Sequence, residues 1–188
     1  MSKTAQQNMQ DHSKLFESRE EFYRVNQALT VYQILHNNLR DDFDNLIKLT
    51  EKHTSIDKDY DTLYRACVRS VLVIIESDVY GLNQIDPYEG YADNNDFETK
   101  LKSTLKQIGK TFNKADITSE YLNTKYQKFK NIKNKRDELT HPKNENHFHA
   151  VSLSAIKELK EVYNDYDDMV NRLMNGFFLK IQIHDLLY

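Results

Sequence analysis

Apolar residues recur at steps of three and four along most of this chain, and strict apolar–polar alternation is confined to its last dozen residues. The pattern predicts helices over 19–37, 39–53, 58–85, 97–113, 119–141 and 153–175. Ser18 and Glu21 have the spacing of a capping box, and Asp96 and Ser119 are residue types that cap helix N-termini. Asp86-Pro87 and His141-Pro142 supply stops, because a residue before proline avoids the α region. The stretch 58–85 is apolar on most sides around Val71 to Ile75 and is expected to be the central helix.

Composition strengthens that picture. Only four glycines and two prolines interrupt 188 residues, so little favours a sheet and the expected fold is an all-α, single-domain bundle of five to six helices. One domain is expected to span 1–188, with a core at 58–175, a helical extension at 1–57 and an apolar tail at 176–188. Alternation at Leu179, Ile181 and Ile183 suggests that the tail is extended, packed either on its own bundle or on a partner. The single cysteine, Cys67, has no intrachain disulfide partner, which fits a reducing compartment. With no apolar leader at Met1 to Asp11 and no run long enough to span a bilayer, a soluble cytoplasmic protein without membrane contact is expected.

Charge is partitioned unevenly. Residues 100–143 hold eleven lysines and Arg136 against Asp116, Glu120, Asp137 and Glu138, a net of +8, so the remainder carries −11 within a total of −3. Lys102, Lys106 and Lys110 recur every four residues opposite Leu101, Leu105 and Ile108, and Lys125, Lys128, Lys130, Lys133, Lys135 and Lys143 follow. The plain reading is a solvated lysine face. The sharper one is a phosphate-binding strip, with Lys102, Lys106, Lys110, Lys128, Lys133, Lys135 and Lys143 as RNA contacts.

That basic region leads into Lys135-Arg136-Asp137-Glu138-Leu139-Thr140-His141-Pro142. Leu122, Tyr126, Phe129, Ile132, Arg136 and Leu139 share one helical register, so Arg136 takes a place otherwise apolar and is expected to point inward or into a cleft. Five positions at 1.5 Å each separate the α-carbons of Arg136 and His141 by about 7.5 Å along the axis, a gap that one phosphate bridges between their side chains. Pro142 matters because an unbroken helix would turn His141 away from Arg136. The competing readings are an ion pair for Arg136 and a C-terminal cap favoured by the helix dipole for His141.

The stretch Arg136-Asp137-Glu138-Leu139-Thr140-His141 resembles the signature of the HEPN superfamily: an arginine, a polar residue, several more residues and a histidine. The resemblance extends loosely over 58–175. It implies a metal-independent endoribonuclease of a toxin or phage-defence system, with the motifs of two subunits facing across a homodimer and an antitoxin or defence protein as a further partner. One subgroup carries a tyrosine two residues after the histidine; Lys143 stands there instead, which sets this chain apart from it.

The implied chemistry follows from the residue types. Metal-free RNA cleavage needs a base for the 2′-hydroxyl, an acid for the leaving 5′-oxygen and cationic donors for the phosphorane. His141 is suited to the proton transfers, Arg136 to a forked pair with the non-bridging oxygens, and Asp137 to orienting a side chain. The products would be a 2′,3′-cyclic phosphate and a 5′-hydroxyl. Glu76 and Arg69, seven residues apart on one face, are supporting candidates for holding Arg136; the alternative places both on the solvent edge. His141, His147 and His149 with Glu145 raise the possibility of a metal site, but they lack a second spaced pair, so neither metal nor cofactor is expected. The acidic, tyrosine-bearing segment 86–93 reads as a connection. Without catalysis, the same features describe a helical module that binds protein or RNA.

Overall fold

The computed structural model describes residues 18–53, 58–143 and 151–175. Six helices follow one another: α1 (Arg19–Thr50), α2 (Lys58–Ile85), α3 (Phe97–Thr111), α4 (Ala115–Thr124), α5 (Tyr126–Thr140) and α6 (Leu153–Met174). No strand occurs among the described residues, so the architecture is an all-α bundle. No helix among them is long and apolar enough to cross a membrane.

The expected central helix is central. Cys67, Val68, Val71, Leu72, Ile74, Ile75 and Leu82 of α2 are essentially inaccessible, and only one stripe, through Arg69, Val73, Glu76 and Tyr80, reaches solvent. Burial pushes the Cys67 thiol pKa up; Thr50 on α1 partners the sulfur at 3.3 Å. α1 lies antiparallel to α2, as contacts from Arg24 to the Gln84 carbonyl, His36 to Asp78 and Thr50 to Cys67 show. α6 also runs antiparallel to α1, with Tyr163 on Phe43 and Lys160 paired with Glu51 at 2.6 Å. The expected N-terminal extension therefore shares the main core through Val25, Leu29, Tyr32, Phe43 and Ile47. Close approach is possible where α2 carries Gly81, because an added Cβ would sit 2.8 Å from the Tyr32 ring.

Two boundaries differ from expectation. The two helices expected at 19–37 and 39–53 are one 32-residue helix, about 48 Å long. Neither proline nor glycine interrupts it, and Tyr32, His36, Phe43 and Ile47 keep a single buried register across the Asn37-Asn38 pair. The helix expected over 119–141 is divided between α4 and α5. α4 begins at Ala115, just after Asn113 adopts a left-handed φ of 55°, so Ser119 lies inside the helix and caps nothing. Asparagine tolerates that conformation better than most side chains. The break falls at Lys125 (φ −112°, ψ −27°), after Thr124, whose hydroxyl bonds its own i−4 carbonyl and so favours a bend. Both pieces meet α6, Glu120 of α4 through Arg172 and Lys128 of α5 through Glu161, but the end of α5 goes on to α2.

The other caps form as their residue types require. Ser18 accepts from the Glu21 amide at 3.0 Å, and Asp96 accepts from the Thr99 amide at 2.9 Å. α2 stops at Ile85 before Pro87, and α5 stops at Thr140 before Pro142. The Lys114 ammonium donates to the carbonyls of Arg172, Leu173 and Asn175, occupying the orphan acceptors at the end of α6.

Candidate functional site

α5 crosses α2 so that the last turn of the motif helix lies on the exposed stripe of the central helix. Arg136 reaches across and its Nη2 pairs with Oε1 of Glu76. Three residues on, the Leu139 carbonyl accepts from Nη2 of Arg69 at 3.3 Å. Both supporting candidates thus meet the motif helix, Glu76 through a side chain and Arg69 through the backbone. Arg136 is partly sheltered, its side chain 24% exposed, whereas Glu76 is 43% exposed. The inward register expected for Arg136 places it at the margin of the core rather than within it.

Asp137 accepts from Lys133 Nζ at 2.8 Å and stands 3.5 Å from Arg136 Nε. Charges therefore alternate along Lys133, Asp137, Arg136 and Glu76, which fixes the guanidinium while no contact to its Nη1 forms among the described residues. The Thr140 hydroxyl bonds the Arg136 carbonyl at 2.8 Å, and the His141 amide closes the helix on the Asp137 carbonyl at 2.9 Å. His141 is the C-cap (φ −125°, ψ 64°), outside helical geometry, with an exposed side chain that has no hydrogen-bond or ion-pair partner among the described residues. An exposed imidazole at a helix end, five residues after a braced arginine, is of a kind able to exchange protons with a bound phosphate ester.

Most of these lysines are engaged by acids or rings rather than left free. Lys128 pairs with Glu161 at 2.6 Å, Lys133 with Asp137, and Lys135 lies 3.9 Å from Glu138. Lys102 sits 4.3 Å above the Tyr126 ring and 3.8 Å from Glu98, which Lys130 also approaches. Lys143, exposed beyond Pro142, is engaged as well. Lys106 and Lys110 are exposed and unpaired among the described residues, but they occupy the end of α3 that docks on Asp86 through Gln107 and Thr111. That is ten residues along α2 from Glu76, about 15 Å of helix, away from the Arg-His pair.

A second polar cluster went unnoticed in the sequence. His36 of α1 is buried, with Nδ1 3.0 Å from both oxygens of the buried Asp78 of α2 and Nε2 3.4 Å from Asp167 of α6. Burial lowers the imidazole pKa, but the two carboxylates outweigh it and push it up to about 9, so the ring is charged at neutral pH. Burial also drives the Asp78 carboxyl upward in spite of that partner. Tyr32, Tyr163 and Tyr166 face the same group: burial and the nearby carboxylates raise the pKa of all three hydroxyls. The signal was present: His36 and Asp78 each occupy an apolar register, the argument that picked out Arg136.

Among the described residues, no three histidine, cysteine or acidic side chains are placed to hold a metal ion. His147, His149 and Glu145, and the tail from 176, lie outside the described residues. No family model, curated protein or solved structure matches the chain.

Proposed function

We propose that this protein is a metal-independent endoribonuclease of HEPN type, working as a homodimer in a toxin or phage-defence setting. The observation that carries the reading is the contrast across the five residues that end one helix: Arg136 braced by Glu76, with no hydrogen bond from Nη1 among the described residues, and His141 exposed beyond the helix end. Arg136 holds the non-bridging oxygens of the scissile phosphate. His141 takes the 2′-hydroxyl proton as the 2′-oxygen attacks phosphorus, and the P–O5′ bond breaks with protonation of the leaving oxygen. The products are a 2′,3′-cyclic phosphate and a 5′-hydroxyl. One histidine does not serve as base and acid in the same step, so a second subunit's motif supplies the complementary proton transfer. Asp137 and Glu76 orient Arg136, and the partly neutralised lysines add a modest phosphate footprint.

That neutralisation favours a second reading, a noncatalytic helical interaction module, since lysines bound to acids release fewer counterions to RNA. Incubation of total RNA with wild type and His141→Ala in EDTA, with end-group analysis, separates the two. Cyclic phosphate ends made by wild type and lost in the variant support the nuclease. Equal, negligible cleavage by both supports the module.

A further inference from the structure

The outer stripe of α2 does not end at Glu76. Val73 and Tyr80 flank it at one-turn spacings, 47% and 56% exposed, and Arg69 precedes them. Tyr80 stands one turn beyond Glu76, about 6 Å along the axis from the Arg136 pairing. Beyond it, Tyr91 packs edge-on against Tyr88 with centroids 5.6 Å apart, and the Lys100 ammonium stands 5.8 Å from the Tyr91 ring. Tyr80 is near enough to Tyr91 to bear on its ionisation. An exposed ring one turn from the Arg136–Glu76 pair, continuing into a second ring with a lysine, has the make-up of a single-strand nucleic-acid surface, where bases stack on aromatics while cations follow the backbone.

We propose that Tyr80 is a base-stacking subsite for single-stranded RNA, seating the nucleobase next to the phosphate held by Arg136 and His141. The proposal rests on the nuclease reading for the position of that phosphate. A stacked base must be free of its own helical stack, so the subsite selects single-stranded segments, loops and bulges over duplex. A protein partner fits less well. Val73 and Tyr80 are separated by the charged Glu76, which interrupts the apolar centre that a stable protein interface is built around.

The test uses a single-stranded oligonucleotide carrying 2-aminopurine, titrated into the full-length chain bearing His141→Ala, so that binding is read without cleavage. Stacking quenches the probe. Tyr80→Ala in that background is expected to remove the quench and weaken binding about tenfold or more, with Tyr80→Phe restoring both. A duplex of the same sequence is expected to bind more weakly and to remain unaffected by either substitution. Unchanged quenching and affinity in Tyr80→Ala would overturn the proposal. So would a change of oligomeric mass in Tyr80→Ala with RNA binding intact, which would assign the ring to an interface between copies. Loss of cleavage in every protein with Tyr80-dependent quenching retained would sink the nuclease while leaving the subsite standing.

Discussion

Two histidines define opposite regimes in this molecule. His36 is buried at the junction of α1, α2 and α6 with a carboxylate on either side, whereas His141 stands exposed at the end of α5 with no partner among the described residues. Both lie next to charged groups, but only the first is locked. Taking charges out of water is costly, and this cluster meets the cost by bringing one member from each of three helices together. A site that must bind and release phosphate needs the reverse: one group braced, one left open. On the proposed reading, the contrast separates a structural polar cluster from a chemical one without appeal to residue type.

The largest effect that would test the contrast is catalytic. His141→Ala is expected to reduce RNA cleavage about 10²- to 10⁴-fold while leaving the melting temperature within a few degrees of wild type. An equal loss of stability would collapse the distinction. His36→Ala should behave in the opposite way, stranding Asp78 and costing about 3–5 kcal/mol, a fall of roughly 10 °C or more in Tm by circular dichroism. A smaller, sharper test is pH. The folded pKa of His36, about 9, lies above its unfolded value, so its stabilisation is complete below about pH 6.5 and is lost as pH rises toward 9. Urea midpoints of wild type should decline across that window, and His36→Gln should lose most of the slope. Smallest is Glu76→Gln: removing an exposed ion pair should cost under about 1 kcal/mol, yet loosen Arg136 enough to lower cleavage about tenfold. Unchanged turnover would reduce Glu76 to a surface charge.

The all-helical fold was legible because nothing competes with the helical period: few glycines, few prolines, strong caps at Ser18 and Asp96. The break at Lys125 was not, since it accompanies the turn of α5 from α6 toward α2, a tertiary fact with only Thr124 as a local trace. The grouping of Arg136, Glu76 and Arg69 was legible from register. The pairing of the lysines was not legible, because charge segregated along the sequence is recombined in space. Glu161 and Glu98, both outside the dense lysine stretch, fold back onto Lys128, Lys130 and Lys102. The His36 cluster escaped because Asp78 and Asp167 lie 42 and 131 positions away and only packing brings them together.

The crossing of α3 and α4 constrains how this sequence can drift. At Gly109 an added Cβ would lie 2.5 Å from the Thr118 hydroxyl and 3.3 Å from the Ala115 backbone, so even alanine forces a shift there. Substitutions at 109 and 118 are therefore coupled: enlarging the first requires shrinking the second, and the backbone at 115 sets a limit that no change at 118 relieves. Among descendants of this chain, position 109 should remain glycine long after the exposed lysines of the same helix have been replaced.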